Sequence, residues 1–283
     1  EEFRSELAVR GLFDAKYATT VLDSFDGEVV RAFKEETQLK GLYPYCIVLK
    51  AFKRTLTDIM IHENISGQKG CESPSIIRSI TEALAHVHSK GYIHGDVKAD
   101  NVVRVKGRYL LTNFEASAAI GSFAGLKVST AHIPPEMIVL KPKTEGTENH
   151  PNTEGFPVVR IDKREAVTGS RIDAKKLQYS RLPASTAFDI WSLGVLAFEI
   201  LAGQPLFPED REGNTGVSQL KLIAQWDDDF KEKRLSIVKS PIARAFLSKC
   251  LVKAEGKRTT TRMLLLDPFL APSFEFEDDI ERA

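Results

Sequence analysis

A change of hydrophobic period near residue 53 constrains the fold more than any other feature of this sequence. Before it, residues 17–22, 29–33 and 45–49 are short β-branched or aromatic runs, punctuated by Asp26-Gly27 and Gly41. Such runs predict a small antiparallel sheet. Residues 1–13 lead into it with helical character, carrying Phe3, Leu7, Val9 and Leu12 among charged residues. From Leu56 onward the period is helical. It is clearest over 73–91, where Ser73 is suited to cap and Pro74 to the first helical position. Ile76, Ile80, Leu84 and Val87 make one apolar stripe there, and Gly91 ends it. Residues 101–112 read as a hairpin around Lys106-Gly107, and helices recur at 187–202, 241–253 and 259–266. The polar, Gly- and Pro-containing stretch 141–184 reads as a long loop or insertion. A small sheet followed by a mostly helical body is an α+β arrangement with segregated classes.

Charge narrows the partners. Lys+Arg and Asp+Glu balance at 39 each, so no basic excess points to nucleic acid or an anionic membrane. The most apolar run, 190–203, is interrupted by Ser192, Gly194 and Glu199 and is too short to span a bilayer. Cys46, Cys71 and Cys250 lie far apart without metal-ligand spacing, which suits thiols in a reducing, cytoplasmic setting. The opening Glu1-Glu2-Phe3-Arg4 contains no signal peptide. A first residue other than Met leads us to expect a fragment of a longer protein.

The chemistry concentrates in 92–103, Tyr-Ile-His-Gly-Asp-Val-Lys-Ala-Asp-Asn-Val-Val. Taken alone, this run would also suit a polar helix-to-hairpin connection whose Asp and Asn satisfy the backbone. Its His94, Asp96 and Asn101, however, fall at the spacing of a protein-kinase catalytic loop. Four later stretches follow in the matching order. Asn113-Phe114-Glu115 stands where that family carries Asp-Phe-Gly, and Pro134-Pro135-Glu136 resembles Ala-Pro-Glu. Asp189-Ile-Trp-Ser-Leu-Gly194 resembles the buried helix beneath the catalytic loop, and Arg258 with Asp267-Pro268-Phe269 resembles the closing pattern. The set, spanning about residues 45–270, resembles the eukaryotic-type protein kinases, Ser/Thr-like because of Lys98.

That resemblance implies a two-lobed fold, with a partial small lobe over 1–52 and a helical lobe over 53–283 that carries the 141–184 insertion. It implies ATP and Mg²⁺ as cofactors and a protein substrate or partner. Asp96 would receive or orient the proton of a substrate hydroxyl, Lys98 would lie near the transferring phosphate, and Asn101 and Asn113 would face the metal. Leu49 would sit at the gatekeeper position and Lys50, Ala51 and Phe52 at the hinge, where adenine meets main chain. Val103 would press the adenine ring. Glu6 would be the ion-pairing residue of the small-lobe helix. Trp191, the pair Glu136–Arg258, and Asp189 as a holder of loop amides are expected to be structural.

The departures bear on activity. No G-x-G-x-x-G loop and no preceding strand lysine occur in the sequence, and both are expected upstream of Glu1. Asn113 removes a full negative charge from the metal position. Unit charges about 4 Å apart interact by about 4 kcal/mol at an effective dielectric near 20. Half of that, about 2 kcal/mol, is roughly a 30-fold loss. Glu115 could return a carboxylate nearby, although a solvated loop side chain is the plainer reading. Gly95, in place of Arg, removes the docking point for an activation-loop phosphate. The sequence therefore predicts a Ser/Thr-kinase-like phosphotransferase of impaired activity, with a pseudokinase scaffold as the alternative.

Overall fold

The computed structural model describes residues 2–27, 45–63, 65, 67, 72–124, 129–141, 155–160, 179–208 and 214–271. The chain opens with α1 (Glu2–Arg10), then β1 (Val21–Phe25) and β2 (Cys46–Leu49), which pair antiparallel with an irregularity between Val21 and Asp23. Helix α2 (Leu56–His62) starts at a capping box in which Thr55 and Asp58 satisfy each other's backbone N–H. Helix α3 (Ser73–Ser89) follows, then β3 (Tyr92–Ile93), a 3₁₀ turn at Ala99–Asn101, and the hairpin β4 (Val102–Val105) and β5 (Arg108–Leu111). β6 (Ala118–Ala119) pairs with β3 across the catalytic-loop motif. β7 (Ile138–Lys141) pairs with β8 (Phe156–Val159), and the remaining elements are helices: α4 (Thr186–Ala202), α5 (Val217–Ala224), α6 (Asp228–Leu235), α7 (Pro241–Cys250) and α8 (Thr261–Leu265). Small two-stranded antiparallel sheets beside a helical body give the α+β kinase-like fold.

The core is organised on α4. Every residue of this helix from Ala187 to Ile200 is buried, including Asp189 and Glu199. A helix apolar on all sides belongs in a protein core when it is too short for a membrane, and among the described residues no helix is long and apolar enough to cross one. Gly194 allows α7 to approach, because a Cβ there would lie 2.7 Å from Cys250 Cβ. Trp191 stacks edge-on against Trp226 at 5.5 Å, and Trp226 Nε1 donates to the Leu251 carbonyl at 3.0 Å. Helix α3 lays Ile76, Ile77, Ile80, Ala83, Leu84 and Val87 into the same core.

Several expectations are corrected. Helix α3 enters at Glu72, so Ser73 is its first helical residue rather than its cap, and Pro74 follows at the second position. Proline suits either site because neither N–H has an intrahelical partner. The stretch read as loop contains β8, whose Pro157 is buried and whose Val159 packs on the core. Residues 182–184 then return along 122–124 through Ala124 N–H to Leu182 O and Ala184 N–H to Ser122 O. Helices α5 and α6 were not foreseen. The run at 29–33 and most of 141–184 lie outside the described residues.

The expected ion pair is present. Arg258 reaches Glu136 with both terminal nitrogens, at 2.5 and 2.6 Å, lies 5.2 Å over the Trp191 ring, and also donates to the Val252, Ala187 and Lys253 carbonyls. Burial pushes the Glu136 carboxyl above its ordinary range despite the guanidinium beside it. Removing the arginine would strand a carboxylate in the interior. Arg258→Met is expected to cost about 3–5 kcal/mol in urea unfolding, and adding Glu136→Gln should recover part of that loss.

Candidate active site

The catalytic-loop motif is held from below by one buried carboxylate. Asp189 Oδ2 accepts the His94 N–H and His88 Nε2–H, each at 2.8 Å, and Oδ1 accepts the Gly95 N–H at 2.9 Å. Burial alone would raise its pKa. The hydrogen bonds from His88 and the Gly95 N–H outweigh burial and hold Asp189 below the usual carboxylate range. The backbone at Gly95 has φ +81°, and a Cβ built there would lie 2.4 Å from the Ala116 carbonyl oxygen. The position read as a lost arginine thus has no room for any side chain.

On this frame sit the three residues singled out for chemistry. Both N–H groups of the Asn101 amide go to Asp96, one to its main-chain oxygen at 2.7 Å and one to Oδ2 at 2.8 Å. This fixes the Asp96 rotamer and leaves Oδ1 buried with no hydrogen-bond partner among the described residues. Asp96 also lines a small cavity together with Gly95, Ser129, His132, Phe188 and Ser192. Lys98 is half-buried two residues on, with an extended backbone. Asn113 is brought to the same place: its Nδ2 donates to Asn101 Oδ1 at 3.2 Å, and its φ of +59° is one that Asn tolerates better than most residues. Glu115 is exposed.

As arranged, this donor set does not fit Mg²⁺. A hard cation takes oxygen ligands, usually one or two carboxylates together with phosphate. Here Asn101 Oδ1 faces an N–H, both amides are neutral, and Asp96 Oδ2 is already engaged. On the nucleotide side, Val103 is fully buried and bridges to Thr55, Leu49 is half-buried at the end of β2, and Lys50 and Phe52 are exposed. Lys50 gives its N–H to Thr20 O at 3.1 Å. Glu6 Oε1 pairs with Arg10 one turn along the same helix at 2.7 Å.

Three contributors escaped the sequence reading. Thr112 links the loop to the hairpin: its N–H meets Asn101 O at 3.0 Å, its carbonyl accepts His94 Nε2–H at 3.0 Å, and its hydroxyl accepts from Thr19 at 3.0 Å. Thr19 and Arg10 complete that chain, and the i, i+4 spacing of Glu6 and Arg10 was the one available clue.

The order of these motifs, the Asp189 frame and the α+β architecture are similar to those of the eukaryotic-type protein kinases. Residues 176–270 match the protein kinase domain family, a stretch that begins after the catalytic loop. The chain is also similar to serine/threonine-protein kinase PAK 5 of Rattus norvegicus, at 24% identity over 76% of this chain and 24% of that protein. Identity to serine/threonine-protein kinase PAK 4 of Homo sapiens is 24%, over 76% of this chain and 29% of that one. With serine/threonine-protein kinase STE20 of Candida glabrata it is 28%, over 76% and 19%. The chain thus spans about a quarter of the length of the curated relatives it matches.

His94 shows how protonation bears on this site. Its Nε2–H donates to Thr112 O, and its Nδ1 accepts the Asp96 N–H at 3.3 Å, so the bonded form is the neutral ring. Burial is the main cause that depresses its pKa below 6.5, against the raising effect of Asp189 and Asp96. A depressed histidine contributes stability that is complete above its unfolded value and is lost as pH falls through the folded value. Unfolding free energy should therefore decline as pH drops below about 6.5. His94→Gln should flatten that profile, and His86, also depressed by burial, should keep the remaining slope.

Proposed function

We propose that this chain is a serine/threonine-kinase-like domain that retains the hydroxyl-directing half of a phosphotransfer site and has a weakened metal half. In this reading residues 1–52 form part of a small lobe, 50–52 the hinge, and 53–283 the large lobe. The observation that supports it best is the Asp96–Asn101–Asn113 cluster. Asp96 is locked by Asn101 with one carboxylate oxygen spare, while the position that needs negative charge carries an amide.

A substrate hydroxyl brought to the cavity would find Asp96 Oδ1 as its acceptor, held in place and shielded from water. Asn101 keeps the carboxylate from swinging away, and Lys98 offers a cation close to the carboxylate. When bound, ATP supplies the transferable phosphoryl group. Leu49 and Val103 would flank its adenine, and the Lys50 carbonyl with the backbone to Phe52 would contact the ring edge. A protein bearing Ser or Thr is the substrate class that Lys98 favours. The second reading, a pseudokinase that binds a protein partner without efficient chemistry, is favoured by the amide-to-amide contact of Asn113 and Asn101.

Two measurements separate these readings. Incorporation of labelled phosphate from ATP into generic protein substrates should stay near background, with any residue abolished by Asp96→Ala; robust transfer that survives Asp96→Ala would refute the role of Asp96. Asn113→Asp, which the backbone at that position accepts, should tighten magnesium-dependent ATP binding by about tenfold or more in calorimetry. Equal affinities would show that another group limits the metal.

A further inference from the structure

We propose that Arg10 is a positioning residue for the candidate phosphotransfer site, a buried cation on α1 that sets Thr112, Asn113 and Phe114 in register with Asp96 and Asn101. The inference deepens the reading above and rests on it for the meaning of those residues.

The arginine is nearly enclosed, with its side chain 3% exposed. A buried guanidinium requires a counter-charge and partners for its donors. Glu6 Oε1 takes Nε at 2.8 Å and Nη2 at 2.7 Å, which neutralises the charge from within the same helix. Nη1 then reaches outward to Thr19 Oγ1 at 3.1 Å, and the Thr19 hydroxyl donates to Thr112 Oγ1 at 3.0 Å. Thr112 immediately precedes Asn113. The face of the guanidinium lies 5.3 Å from the Phe114 ring centroid, in the attractive range for a cation over an aromatic face. Phe114 in turn packs on His94 at 4.9 Å and on Phe13 at 4.8 Å.

One side chain therefore grips the segment on both sides of Asn113, through a hydroxyl relay before it and a ring after it. Glu6 is consumed in making this possible. The helix carboxylate that the family resemblance assigned to an external lysine is paired here with Arg10 inside the protein. The placement of α1 against the site is built in by residues 6, 10, 19, 112 and 114. A methionine of similar length would fill the space and would supply neither the charge nor the relay.

The test uses the whole chain, with backbone amide resonances and hydrogen exchange at Asn101, Thr112, Asn113 and Phe114, alongside calorimetry with ATP and magnesium chloride. Arg10→Met and Thr19→Val should shift those amides and accelerate their exchange several-fold, leaving α7 and α8 unchanged. Arg10→Lys, which keeps a cation over Phe114 but not the reach to Thr19, should restore the Phe114 amide more than the Thr112 amide. A merely structural role would instead lower the thermal midpoint and speed exchange throughout the core, and that result, or unshifted amides at 112–114, would overturn the proposal. If Arg10→Met does not fold, Thr19→Val alone decides by the same criterion. Failure of the unsubstituted chain to bind ATP would refute the nucleotide reading, while the amide pattern would still decide the role of Arg10.

Discussion

A single ionised carboxylate, shut away from water beneath the catalytic loop, is the constraint on which the site depends. Asp189 sits on a helix with no exposed face between Ala187 and Ile200, so every lone pair it carries must be met by protein. It is met by two consecutive backbone N–H groups and by His88. Consecutive amides can converge on one carboxylate only if the chain turns sharply, and the positive φ at Gly95 is that turn. The backbone that carries Asp96 is thus anchored by a carboxylate on α4, and Asn101 then fixes the Asp96 side chain.

The same logic of enclosed charge recurs twice more. Arg258 is neutralised by Glu136 and capped by carbonyl groups, which ties the 134–137 segment to the end of the helical body. Arg10 is neutralised by Glu6 and joins α1 to the hairpin through two threonine hydroxyls. In each case a charge costly to bury fixes one geometry where apolar packing would allow several. At Asn113, by contrast, a neutral amide meets the neutral amide of Asn101.

Elements with strong local signals could be read before the structure was known. The turn at Lys106-Gly107, the α3 stripe and the length of α4 needed nothing beyond their own residues. β8 was missed because Pro157 argues against a strand and because its partner β7 lies across a polar stretch. Helix α6 was missed because seven of the eight residues in its sequence, Asp-Asp-Phe-Lys-Glu-Lys-Arg-Leu, remain at least partly exposed, with Leu235 alone buried. At the site, the resemblance singled out Asp96 and Asn101 separately, and the bonds from the Asn101 amide to Asp96 became visible only in the structure. The Arg10–Thr19–Thr112 chain joins residues 93 positions apart at its far step, and no local pattern encodes a contact of that kind.

The crowding at Gly95 has a consequence for how this sequence can change. With the Ala116 carbonyl oxygen 2.4 Å from where a Cβ would lie, a mutation at codon 95 cannot restore an arginine unless the 114–118 backbone has already moved. A single substitution at this position therefore meets both the 2.4 Å contact and the positive φ, and has to be matched by a change in the neighbouring backbone. Position 95 is thus tied to its neighbour: in the turn as it stands, glycine is a requirement of the backbone, and a side chain there would demand that Ala116 give way first.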